Sequence, residues 1–63
     1  METKYFTAIF FDKNKKPYKY RNIKNNPASI KAFTSFALTK NAEQINFYDK
    51  TTKLFCYKLF LKV

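Results

Sequence analysis

No glycine occurs in this 63-residue chain, and that absence constrains it more than any residue it contains. Tight turns and helix ends usually place a glycine at positive φ, where a Cβ atom is crowded. Here those positions fall to asparagine, aspartate or a strained side chain. The same absence excludes whole classes of chemistry. Phosphate-cradling loops and dinucleotide fingerprints need glycine for close backbone approach, and a nucleophile elbow needs it for its sharp turn.

The other devices that hold small domains together are also missing. A domain of this size buries only about 60% of its unfolded surface, and most such folds add disulfides, metal or oligomerisation. Cys56 is the single cysteine and there is no histidine, which leaves neither an internal disulfide nor a four-ligand zinc site. Aromatic packing remains. Eight Phe and five Tyr, each burying roughly 150–250 Å², suffice for a core, and self-association is the alternative. One domain over residues 1–63 is expected.

Without histidine the commonest general base and metal ligand is gone. Cys56 lacks an obvious base and is expected to be a buried strand thiol acting as a small hydrophobe. Asp12 and Asp49 each open a hairpin turn, Glu43 stands beside a helix end and Glu2 is near the terminus. None of these forms a catalytic pair. The expectation is a binding protein, not an enzyme, with no cofactor and no metal.

Thirteen basic residues against four acidic give a formal net charge of +9. Twelve of the 13 are lysine, and Arg21 is the only arginine. Much of this is the signature of an A/T-rich genome: Phe, Tyr, Met, Ile, Asn and Lys make up 36 of the 63 residues. The composition is similar to that of accessory proteins of phages, plasmids and other mobile elements in such genomes, a likeness that carries no function with it. Codon bias does not account for the shortage of carboxylates, which implies an anionic partner or a self-repelling surface. Tyr5–Phe11 is apolar but only seven residues long, too short for a membrane span. It has no signal-peptide cleavage pattern after it. Together with the lone cysteine, this makes a cytoplasmic location the expectation.

The chain reads strand, turn, strand, helix, strand, turn, strand. Lys4–Phe11 is rich in aromatic and β-branched residues and predicts a strand with Phe6, Ala8 and Phe10 facing the core. Asp12–Pro17 is a turn, with Asn14 expected at positive φ. Tyr18–Lys24 alternates and pairs back as a hairpin. Asn26 is a helix N-cap, Pro27 sits at the first helical position, and Ile30, Phe33, Phe36 and Ala37 form a helical stripe through Lys40. Asn41 is the expected left-handed stop. Gln44–Asp49 is a third strand. Lys53–Val63 is a fourth, with Phe55, Tyr57, Leu59, Leu61 and Val63 on one side. The fold class is therefore α+β, a ββαββ arrangement of a mainly antiparallel four-stranded sheet with one helix on one face. A single helix covers only part of such a sheet, so the other face should carry leftover aromatics and lysines or be covered by another chain.

The densest binding signal is Lys15, Lys16, Lys19, Arg21 and Lys24 interleaved with Tyr18 and Tyr20. On a hairpin, Lys19 and Arg21 share one face, and Tyr18 and Tyr20 the other. Such a ribbon can lie along phosphates, with released counterions driving affinity, while a tyrosine stacks on an unpaired base. The alternative is a solvated hairpin whose tyrosines fill the core. One arginine argues against base-specific readout, since arginine on guanine is the commonest specific contact. Two further surfaces compete. Leu54–Val63 is apolar on both faces; as an edge strand it would pair with a protein partner or a second copy, with Lys58 and Lys62 blunting it. Lys31 and Lys40 beside Phe33 and Phe36 give the helix a mild membrane-surface character. Sequence-tolerant nucleic-acid binding, to DNA or RNA, is the first expectation and protein interaction the second.

Overall fold

The computed structural model describes residues 3–61, so Glu2, Lys62 and Val63 lie outside the described residues. Strand β1 spans Tyr5–Phe11, β2 Pro17–Lys24, helix α1 Pro27–Thr39, β3 Gln44–Asp49 and β4 Phe55–Phe60. The four strands form one open antiparallel sheet in the order β2-β1-β3-β4. This is the α+β, ββαββ architecture that the residue pattern implies. Two apolar strands occupy the centre, and β2 and β4 are the edges.

Alternation places Phe6, Ala8 and Phe10 on one face of β1, where all three are buried together with Ile45 and Phe47 of β3. Helix α1 lies over this face. Its Phe33 meets Phe10 edge-on at 5.7 Å between ring centroids, and its Phe36 does so at 6.1 Å. Edge-to-face pairs of this kind add about 0.5–1.5 kcal/mol each beyond area burial. Because the stripe is spent on the core, the helix has little apolar surface left for a lipid interface. No described helix is long and apolar enough to cross a membrane.

Both helix ends follow from short polar residues. The Ser29 N–H donates to Asn26 Oδ1 at 2.8 Å, and Pro27 occupies the first turn, where its missing N–H costs nothing. At the other end Asn41 takes φ 61. The Asn41 N–H donates to Leu38 O and the Ala42 N–H to Ala37 O. This is a Schellman ending, and its usual apolar contact is present as well, since Ala37 and Ala42 are both fully buried.

The turns differ from expectation in one respect: Lys15, not Asn14, carries the positive φ of the first hairpin. The Lys15 N–H donates to Asp12 O, and the Asp12 N–H donates to Lys16 O. Lys13 and Asn14 are therefore the centre of a right-handed turn, and the left-handed residue must come third. Asp12 Oδ1 accepts from the N–H groups of Asn14 and Lys16, which fixes the loop. The second hairpin repeats the device. Asp49 Oδ1 accepts from the N–H groups of Thr51 and Thr52, and Lys53 takes φ 65.

Two register shifts also break the simple alternation. Opposite Thr7, β2 carries an extra residue at Arg21–Asn22, with Asn22 at φ 66. Past this bulge Ile23 pairs with Phe6 and returns to the core face alongside Tyr18 and Tyr20. In β4 the shift falls between Tyr57 and Phe55. Phe55 is thereby turned away from Tyr57 and Leu59, contrary to the sequence pattern, and meets the Tyr48 ring at 5.6 Å. Cys56 is exposed, not buried, because it is the surplus residue of that bulge on an edge strand.

Phe10→Ala is expected to cost about 3–5 kcal/mol. That matches the roughly 3–5 kcal/mol a core of this size supplies, so far-UV circular dichroism should show a largely unfolded chain. Lys15→Gly relieves left-handed crowding worth roughly 1–2 kcal/mol and should raise the thermal midpoint; a lower midpoint would contradict the turn assignment.

Candidate nucleic-acid interface on the open sheet face

The face of the sheet away from α1 is built by the residues alternate to the core set. From β1 it takes Tyr5, Thr7, Ile9 and Phe11. Across the strands, Lys19 pairs with Ile9, Ile9 with Asn46 and Asn46 with Lys58. The next row runs from Arg21 beside Thr7 to Tyr48 and then Phe55. Lys24 pairs with Tyr5, and at the far corner Phe60 pairs with Gln44. Cations thus stand at both edges and in the turns, while aromatic rings lie between and beside them. Tyr5, Phe11, Phe55 and Phe60 are all exposed, and Phe60 is the most exposed large apolar side chain described, at 72%.

The structure separates the residues singled out from the sequence into three groups. Lys19, Arg21 and Lys24 join the open face. Tyr18 and Tyr20 do not: Tyr18 stacks on Phe10 at 4.9 Å, and Tyr20 packs edge-on against Phe36 at 5.3 Å. These tyrosines belong to the helix side, the alternative that the alternation left open. Lys15 and Lys16 sit in the β1–β2 turn, and the Lys16 ammonium lies 5.8 Å from the Tyr18 ring centroid. The hairpin by itself is therefore not a surface that combines its lysines with its tyrosines.

The sequence implies leftover aromatics and lysines on the uncovered face but does not show which rings stand beside which cations. Tyr5, Thr7, Ile9 and Phe11 are visible as the second face of β1, but only strand order brings Tyr48 and Lys58 beside them. Lys50 and Lys53 look like ordinary turn residues in the sequence. In the fold they line, with Thr7, Ile9, Lys19, Arg21, Tyr48 and Asp49, an open groove of about 260 Å³. The Lys50 ammonium donates to Asn22 Oδ1 and lies 5.5 Å from the Tyr5 ring centroid. Asn46 contributes a carbonyl oxygen, Oδ1, that is buried without a hydrogen-bond partner among the described residues.

Both aspartates accept hydrogen bonds from turn N–H groups, and those bonds favour their ionised forms. The Lys16 backbone N–H holds the Asp12 carboxyl below its ordinary value, helped by the Asn14 N–H and the Tyr18 hydroxyl. For Asp49 the Thr52 N–H does most, followed by the Thr3 hydroxyl, which donates to Oδ2 at 2.8 Å. On the helix side, burial followed by the neighbouring Cys56 pushes the Tyr57 hydroxyl up. It is a group to keep neutral, not one poised for proton transfer. Comparison with protein-family models, with curated proteins and with solved structures yields no match.

The acid limb of stability should report the two turn carboxylates. Their folded values lie below the ordinary 3.8, so their contribution is full above that value and is lost as pH falls through the folded values. Denaturant midpoints should therefore drop below about pH 4. In Asp49→Asn the drop should be smaller; an equally steep drop would place the sensitivity elsewhere.

Proposed function

We propose that the chain binds single-stranded nucleic acid, without sequence preference, across the open face of its sheet. The observation that carries this reading is the interleaving of Lys19, Arg21, Lys24 and Lys58 with Tyr5, Phe11, Tyr48, Phe55 and Phe60 on a surface the helix leaves bare. Cations track a phosphate backbone and gain affinity from released counterions. Aromatic rings stack on unpaired bases whatever the base, because every base has a π-face. One arginine limits base-edge readout, which agrees with a sequence-tolerant binder. The stacking role moves from Tyr18 and Tyr20 to the rings on the open face.

Anisotropy titration of a labelled oligothymidylate tests this. Four phosphate contacts at about −0.7 each give a log–log salt slope near −3. Tyr48→Ala and Phe60→Ala should each weaken binding by about 1–3 kcal/mol, and Lys19→Glu with Arg21→Glu should abolish it. Tyr20→Phe, on the helix side, should change little. Absence of binding at low salt, or indifference to Tyr48 and Phe60, removes this reading.

A second reading, protein interaction through a strand edge, is favoured by β4. It is an outer strand, and Phe60, Leu54 (68% exposed) and Phe55 (55%) are the most exposed large apolar residues described. The Leu61 N–H donates to Glu43 O, so by alternation the backbone groups of Lys58 and Phe60 point to the free edge. Antiparallel self-pairing centred on Leu59 would set Lys58 opposite Phe60 of the second copy and avoid a lysine–lysine clash. Sedimentation equilibrium should then show mass rising with concentration; a monomer mass throughout rejects self-pairing.

A further inference from the structure

The groove on the open face gathers four cations, Lys19, Arg21, Lys50 and Lys53, against one carboxylate, Asp49. It is lined by Thr7 and Ile9 of β1, Tyr48 of β3, Lys19 and Arg21 of β2, and Lys50 and Lys53 of the β3–β4 turn. Its one carboxylate, Asp49, accepts from the Thr51 and Thr52 N–H groups of its own loop through Oδ1 and from the Thr3 hydroxyl through Oδ2, and leaves the four cations in excess.

One of these cations, Lys50, is held in place by its own contacts. Asn22, at φ 66 in the β2 bulge, accepts a hydrogen bond from the Lys50 ammonium, which also lies 5.5 Å from the Tyr5 ring centroid. Holding a long side chain in place before the ligand arrives reduces the entropy lost on binding. Lys53, at φ 65, closes the β3–β4 turn and lines the groove.

An internal phosphodiester carries one charge, and the strand leaves it in two directions. A phosphomonoester carries about −1.5 to −2 charges at neutral pH and three strong acceptor oxygens. It is also attached on one side only, which suits a depression walled by a turn. At about 260 Å³ the groove lies below the roughly 300–1,000 Å³ typical of pockets for drug-sized ligands, a size for one small group. Arg21 offers a planar fork for two of the oxygens, and lysines act as point charges on the third.

We propose that this groove seats a phosphomonoester dianion, the terminal phosphate of a strand or of a free nucleotide, with Tyr48 available to the adjoining base. The assignment rests on the nucleic-acid reading above and sharpens it from a face to a preference for phosphorylated ends.

The test compares a short oligothymidylate carrying a 5′-phosphate, a 3′-phosphate or hydroxyls at both ends, titrated into the full chain at about 50 mM salt. A phosphorylated end should bind about tenfold tighter, the effect of one added charge-assisted contact. The advantage should shrink as pH falls through about 6, where the phosphate gains a proton. In Lys53→Gln, checked for retained fold by circular dichroism, the phosphorylated-to-hydroxyl ratio should fall toward one. Thymidine monophosphate competing where thymidine does not identifies the free nucleotide as a source. Failure of thymidine monophosphate to compete, with the end preference intact, assigns the site to strand ends. Equal affinity for all three strands overturns the groove assignment and leaves the open-face reading standing, whereas no binding of any strand overturns both.

Discussion

Packing of the helix rings Phe33 and Phe36 against Phe10 and Tyr20 holds the molecule together and also limits what the helix can cover. A chain without disulfide, metal or glycine depends on aromatic area for its stability. The helix sits over β1 and β2, with Phe33 reaching across to Phe47 at 6.4 Å. On the β4 side, Tyr57 covers Phe47 by stacking at 4.8 Å and remains partly exposed itself. The helix and Tyr57 together cover one face, and the opposite face stays bare.

The two bulges determine which residues that bare face receives. Without the extra residue at Arg21–Asn22, strict alternation would put Ile23 among the lysines and a cation under the helix. With it, Tyr18, Tyr20 and Ile23 all turn inward, while Lys19, Arg21 and Lys24 turn outward. The shift at Phe55–Cys56 likewise brings Phe55 beside Tyr48 on the open face. Asn22 does more than permit the bulge, because its side chain also anchors Lys50. Backbone irregularity and site assembly are one event here.

Most of the architecture is legible in the residues. Asn26-Pro27 marks the helix start, Asn41 its left-handed end, and the alternation of Phe6, Ala8 and Phe10 the core face, because each depends on local chemistry. The unread parts depend on something non-local or on a single surplus residue. Lys15 takes positive φ because the hydrogen-bonding of the loop fixes the position, whatever the preference of asparagine. A bulge leaves no clear mark in a run such as YKYRNIK, so the fate of Ile23, Phe55 and Cys56 could not be read. The candidate surface was half legible. Lys19, Arg21 and Lys24 were visible as one outward set, but Tyr48, Lys50, Lys53 and Lys58 join them only through the order β2-β1-β3-β4.

The claim that the uncovered sheet face is the working surface is tested most directly by amide and side-chain NMR shifts on titrating unlabelled single-stranded nucleic acid. Shifts are expected at Thr7, Ile9, Lys19, Arg21, Tyr48 and Lys58, with Lys31 and Ser35 on the helix unmoved. Shifts confined to the helix or to the outer edge of β4, or none at low salt, would contradict it.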